Sequence, residues 1–191
     1  LSADAKVCAI VRNGERVDSL AAGEQGEIVL NVTPFYAEMG GEVGDTGTIT
    51  ADGAELQVID TKAPEKGLVC HVATVASGTF TVGMTVSAQV DAKRRARIAR
   101  NHTCTHILHA ALRQVLGAHV KQAGSYVGPD RLRFDFTHFE SVTPEQLKQV
   151  EELANSVIMS AIATNIFETS LAKAREEGVT ALFGEKYGDV V

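Results

Sequence analysis

Asp91-Ala92-Lys93-Arg94-Arg95-Ala96-Arg97-Ile98-Ala99-Arg100-Asn101-His102-Thr103-Cys104-Thr105-His106-Ile107-Leu108-His109 is where the character of the chain changes. Asp91 reads as an N-cap, since its short carboxylate can accept from the first free backbone N–H groups of a helix. Ile98, Thr105, Leu108, Ala111, Leu112 and Val115 then fall near one side, and Gly117 stops the segment. His102 and His106 are four apart, about 6 Å along a helix axis and slightly past one full turn, so both imidazoles leave the same face. Such a pair is half of a zinc site. The same spacing also occurs among ordinary surface and core residues, so neighbours decide its weight. Asn101, Thr103 and Thr105 make the setting small and polar. His109 approaches the face but is carried sideways, and would be the third ligand only in an unrelated metal-binding module. Cys104 points the other way and reads as a small buried residue. A metalloprotease is excluded, because Thr103 stands where the water-activating Glu would follow the first His. Lys93, Arg94, Arg95, Arg97 and Arg100 form the densest positive cluster, either a solvated helix face or a phosphate path leading to the His pair.

Composition bounds the rest. The 191 residues are 45% apolar with a net charge of −6, enough for a sizeable core and against a surface that grips nucleic acid everywhere. No apolar run is long enough to span a membrane, and no signal segment opens the chain. Three cysteines suggest no disulfide framework and fit a reducing, cytoplasmic setting. Leu1 at one end and Val190-Val191 at the other, inside an apolar pattern, lead to the expectation of a piece of a longer protein.

Upstream, residues 1–90 are expected to form a small β-barrel or sandwich, a first domain of short strands with turn signals every eight to twelve residues. Strands are expected at residues 7–11, 27–32, 47–50, 55–59, 67–75 and 84–90, with hairpin turns at Asn13-Gly14 and Asp52-Gly53. Within this module Thr33-Pro34-Phe35-Tyr36-Ala37-Glu38-Met39-Gly40-Gly41-Glu42-Val43-Gly44-Asp45-Thr46-Gly47 holds more glycine than a hairpin needs. It is either a crowded barrel corner or a backbone that meets a ligand.

Downstream, residues 91–191 are expected to form an α+β second domain, helices packed on an antiparallel sheet. Residues 119–127 and 131–139 read as paired strands around Gly128-Pro129-Asp130, with Leu132, Phe134 and Phe136 facing a core. Thr143-Pro144-Glu145-Gln146 is a capping box opening a helix with Leu147, Val150, Ala154, Val157, Ile158 and Ala161 on one stripe. A strand is expected at 165–168. Ser170 is expected to cap a short helix stopped by Gly178.

Three stretches together resemble one family. Residues 33–47 look like the glycine-rich stretch of alanyl-tRNA synthetase editing domains. Arg100-Asn101-His102-Thr103-Cys104-Thr105-His106 continues into Ile107-Leu108-His109 like their HxxxH helix. Ala181-Leu182-Phe183-Gly184-Glu185-Lys186-Tyr187-Gly188-Asp189 looks like the segment leading into their last part. Free-standing trans-editing proteins share the His pair, and the threonyl-tRNA synthetase editing domain is more distant. The resemblance implies a β-barrel joined to an α+β editing core. Its implied function is hydrolysis of the ester joining serine or glycine to tRNA(Ala), a second site that corrects what the size of alanine does not exclude.

Carried over by position, His102 and His106 match the first two Zn2+ ligands. The family draws the other two from a Cys-x-x-x-His motif beyond the equivalent of Val191, so the implied metal site is half present. Gln122, Gly40, Gly41 and Glu42 are implied near the substrate, Glu42 standing where the family commonly has Gln. Arg94, Arg95, Arg97 and Arg100 become candidates for tRNA contact. Thr103 and Thr105 are candidate catalytic hydroxyls, although a helical Thr equally bonds its own backbone. The implied partners are the tRNA(Ala) acceptor end and the rest of a synthetase chain, its aminoacylation and C-terminal domains. The rival classes are an inert tRNA-binding or structural piece and a free-standing trans-editing protein.

Overall fold

In the computed structural model, residues 1–163, 165 and 168–177 are described. They fall into two compact units, residues 1–106 with 124–135, and residues 107–123 with those from 136 on.

Nine strands precede the long helix: β1 (Ser2–Arg12), β2 (Glu15–Val17), β3 (Ser19–Ala21), β4 (Gln25–Leu30), β5 (Gly47–Ala51), β6 (Ala54–Glu65), β7 (Leu68–Ser77), β8 (Thr79–Thr81) and β9 (Thr85–Val90). Six pair in the order β1-β4-β7-β6-β5-β9, and β9 pairs back onto β1, so the sheet closes into an antiparallel barrel with β2 appended to β1. Closure removes the free edges that short strands would otherwise expose. Asn13-Gly14 makes the expected hairpin turn: both residues have positive φ, 53° and 82°, and Arg12 pairs with Glu15. Asp52-Gly53 links Ala51 to Ala54 in the same way, with Gly53 at φ 70°.

Alternation puts Ile10, Ile28, Ile49, Leu56 and Val75 inside. Each fully buried side chain of this size contributes about 2–3 kcal/mol. The three-residue strands β3 and β8, which the sequence pattern does not reveal, pair with each other and set Leu20 opposite Phe80, both fully buried. β6 was expected to end at residue 59 but runs to Glu65 through register shifts, one between Val58 and Asp60. That irregularity breaks the two-residue period. Ile59 still follows the period and is 49% exposed, but past the shift Thr61 turns inside, where its hydroxyl donates to the Asp45 carbonyl at 2.8 Å. The glycine-rich stretch is thereby tied to the barrel wall.

His71 lies fully buried on β7. Its Nδ1 donates to the Ile28 carbonyl at 2.8 Å, its Nε2 accepts from Thr33 Oγ1 at 2.7 Å, and the edge of Phe35 packs on it. Burial lowers its pKa below the ordinary histidine value. The unfolded chain therefore takes up a proton below about pH 6.5 that the folded barrel refuses. Stability from this site is complete above that pH and is lost as pH falls through the window beneath it, with a slope of at most about 1.4 kcal/mol per pH unit. In His71→Gln, urea unfolding at a series of pH values shows lower stability throughout and a shallower acid decline. An identical decline in both proteins removes His71 from the account.

α1 (Ala92–Leu116) follows. Asp91 Oδ1 accepts from the N–H groups of Lys93 and Arg94, both at 3.0 Å, the expected cap. Ile98, Thr105, Ala111 and Leu112 are buried, and Gly117 ends the helix at φ 117°. Cys104, expected to be buried, is half-buried.

β10 (Gln122–Val127) and β11 (Leu132–Phe136) pair, but both are shorter than the expected 119–127 and 131–139. Thr137 N–H still donates to the Lys121 carbonyl at 2.9 Å, but past that bond Val120 N–H turns back to the Gly117 carbonyl and the rings of His138 and Phe139 stack with His119, so the pairing stops short of the expected ends. Leu132, Phe134 and Phe136 are half-buried rather than core.

α2 (Pro144–Met159) opens with the expected capping box, reciprocal bonds between Thr143 and Gln146. Of its apolar stripe only Val150 is buried; Leu147 and Ile158 are 55% and 45% exposed, and Ala161 lies past the helix at φ 48°. α3 (Leu171–Glu176) begins after Ser170, whose Oγ accepts from Lys173 N–H at 3.3 Å. Residues 165 and 168 are not in a strand, and 166–167, Gly178 and the motif at 181–189 lie outside the described residues. No helix among the described residues is long and apolar enough to cross a membrane.

Candidate metal centre

The helical spacing places His102 and His106 side by side on α1, with ring centroids 5.2 Å apart and planes 27° from parallel. Each ring would reach a shared ion with one nitrogen, so ring orientation matters as much as position. For His102 that orientation is set by Glu42, whose Oε2 is bonded to His102 Nδ1.

Glu42 is 2% exposed, so its carboxylate needs partners for both oxygens. Oε2 has His102, and Oε1 accepts from Arg95 Nη1 at 2.6 Å. The same guanidinium nitrogen lies 3.6 Å from Oδ1 of Asp45, a second buried acid, and the guanidinium sits 4.9 Å over the Tyr36 ring. Asp45 Oδ2 accepts from Tyr36 N–H at 2.9 Å. Arg95, about two turns before His102 on α1, is thus the cation around which the glycine-rich stretch folds.

The glycines explain how that stretch reaches the helix. Gly40 and Gly41 have φ of 62° and 87°, and Met39 and Glu42 exchange both backbone hydrogen bonds around them, a two-residue turn of the primed kind. A Cβ on Gly41 would stand 2.4 Å from the Ser125 carbonyl oxygen. Val127 N–H donates to the Gly41 carbonyl at 2.8 Å, Val43 N–H donates to the Val127 carbonyl at 3.0 Å, and Ser125 Oγ donates to the Gly40 carbonyl at 3.0 Å. Of the two readings left open by composition, the close approach is to the chain's own backbone.

The other expected site residues divide. Thr103 and Thr105 donate their hydroxyls to Ala99 and Asn101 carbonyls, at 3.1 and 2.9 Å, one helical turn back. Arg94 donates to the Gly44 carbonyl at 2.8 Å, and Arg97 pairs with Asp130. With Arg95 occupied by Glu42, only Arg100 of the four candidate tRNA-contact arginines makes no bond or ion pair among the described residues. Gln122 opens β10, half-buried, and belongs to the other compact unit. Asp45 and Tyr36 were not singled out from the sequence. The one signal for Asp45 in the sequence is an acid three residues after Glu42 within the glycine-rich stretch.

The donor set fits zinc as a half-site: two imidazoles on one face, one of them held through its far nitrogen by a carboxylate, as metal-bound histidines usually are. Among the described residues no three His, Cys, Asp or Glu side chains are placed to share an ion, which also leaves His109 out as a third ligand.

A sequence profile described as "tRNA synthetases class II (A)" matches residues 1–94. The chain is 53% identical over 189 residues to the alanine–tRNA ligase of Acetivibrio thermocellus, covering 99% of this chain and 22% of that protein. It is 51% identical to that of Pelotomaculum thermopropionicum and 47% to that of Bacillus thuringiensis, each along the whole chain and 22% of the relative. The chain thus spans about a fifth of the length of these curated relatives, and by that unbroken match it belongs to the alanine–tRNA ligase family.

Proposed function

We propose that the chain is the editing portion of an alanyl-tRNA synthetase, hydrolysing the ester of serine or glycine on tRNA(Ala). The observation that carries this reading is the His102–His106 pair with its buried Glu42 support. A pair of exposed histidines with no role has no need of a desolvated carboxylate fixed behind one of them, because burying that carboxylate costs several kcal/mol unless its partners are held in place. Water adds across the ester, releasing the free amino acid and the terminal ribose hydroxyl of the tRNA. An aminoacyl ester is already activated, so the site needs chiefly orientation and a placed water.

His102 and His106 would hold Zn2+ together with ligands outside the described residues, and the ion when bound would polarise the ester or a water. What the chain itself supplies is the position of the two nitrogens. The Thr103 and Thr105 hydroxyls reach substrate only by leaving the Ala99 and Asn101 carbonyls, which argues for a helix-shaping role in the resting site. The tRNA acceptor end, the aminoacylation and C-terminal domains and a cytoplasmic location belong to the same proposal.

The test is His102→Ala in the full-length enzyme. Deacylation of serine-charged tRNA is abolished while alanine charging is retained. Deacylation that continues unchanged sinks the editing reading.

A second reading has its own support, the lack of a third described ligand. The isolated chain would then be the scaffold of the site, folded but inert. Elemental analysis of the purified chain after dialysis against metal-free buffer separates the two. Stoichiometric zinc supports a working site, and its absence supports the scaffold.

A further inference from the structure

We propose that Glu42 selects the tautomer of His102, acting as a positioning residue that keeps the proton on Nδ1 and the lone pair on Nε2. A carboxylate only accepts, so in the Glu42–His102 bond the hydrogen belongs to Nδ1. In a neutral ring this leaves Nε2 as the one nitrogen able to bind an ion or accept from a water.

Three features keep Glu42 from turning away. Its other oxygen is taken by Arg95 at 2.6 Å. Its backbone closes the Gly40-Gly41 turn with Met39 and forms a bridge with Val127. Its side chain is 3% exposed, so water does not compete for either oxygen.

The chemistry depends on a carboxylate rather than on shape. Arg95 and the Nδ1–H ring both donate, and only a group with two acceptors satisfies both. An amide of the same size has one. Arg95 cannot change its role, whereas a neutral imidazole can, so the amide oxygen of Glu42→Gln would face Arg95. Its NH2 would then point at His102 and stabilise the opposite tautomer, with the proton on Nε2.

Only the metal-binding consequence rests on the editing proposal; the tautomer can be read without it. The experiment is two-bond 1H–15N correlation on the metal-free 191-residue chain with 15N-labelled histidine, at mildly alkaline pH where imidazole is neutral. The His102 signals are assigned by their loss in His102→Asn. A protonated Nδ1 and a pyridine-type Nε2 are expected, and the reverse pattern overturns the proposal. In Glu42→Gln the pattern is expected to invert, and an unchanged pattern overturns it as well. His71, whose Nδ1 donates to Ile28, is the internal control for an intact barrel, since its pattern must stay the same in every variant.

If Glu42→Gln does not fold, the unsubstituted chain decides alone. Loss of the editing reading through the His102→Ala assay would leave the tautomer result standing, so the two failures are distinguishable.

Discussion

Arg95→Leu lowers the unfolding free energy by about 3–5 kcal/mol. The change leaves Glu42 and Asp45, 3% and 2% exposed in their side chains, without the cation that both face. Removing one member of a buried ion pair is costly because the carboxylates left behind have lost water on folding and gain nothing in return. Leucine also gives up the contact of the guanidinium with the Tyr36 ring. Far-UV circular dichroism in urea measures the loss, since the chain has no tryptophan to report by fluorescence. The control is Arg97→Leu, which breaks a pair whose partners are 53% and 76% exposed, and should cost less than about 1 kcal/mol. If Arg95→Leu is no worse than this control, the buried cluster does not hold the glycine-rich stretch as described.

Gly47→Ala should cost about 3 kcal/mol, the upper end for forcing extra volume into a packed site. A Cβ there would stand 2.1 Å from the Gln89 carbonyl oxygen and 3.0 Å from Val90 Cα. Both belong to β9, which pairs with β5 at this point. No rotamer relieves the clash because both parties are backbone, so the two strands must separate where the barrel closes. Gly53→Ala is the matched comparison. Its φ of +70° strains any side chain, but nothing lies within 4 Å, and the cost should stay near 1 kcal/mol. Equal losses at the two positions would mean that the β5–β9 seam yields easily.

The alternation of Ile28, Ile49 and Leu56 with polar neighbours made the barrel legible, because each of these strands has one wet face and one dry one. The same rule failed where the chain departs from a period of two. The irregularity between Val58 and Asp60 puts Thr61 inside, and no local residue type announces it. β3 and β8 are too short to show a period, and pairing is what makes them strands. The stripe on α2 was legible as a pattern, yet Leu147 and Ile158 are largely exposed among the described residues. A pattern states which face wants burial and not what buries it.

At the candidate site the His pair was legible because helical spacing alone fixes it. Its support was not, since Glu42 and His102 are sixty residues apart and meet only through the barrel and the Gly40-Gly41 turn. The basic cluster was legible as charge, and its ties within the chain were not. Arg94, Arg95 and Arg97 spend their donors on Gly44, Glu42 and Asp130. Their spacing is that of a helix face, and nothing in it distinguishes a phosphate path from ties to the chain's own acids.

The pairing of β1 with β9 sets Ser2 opposite Gln89 and Lys6 opposite Thr85. During synthesis the first strand therefore emerges long before its partner exists. Until residues 85–90 have cleared the ribosome, the nascent chain carries an unpaired strand edge and a half-covered apolar face. Joining segments so far apart in sequence also makes the closing step slow relative to the local hairpins, because loop entropy is lost before the contact forms. The barrel should thus be the late and vulnerable event in the birth of the protein, with the Asn13-Gly14 and Asp52-Gly53 hairpins forming first, and its half-made form the state on which chaperones act.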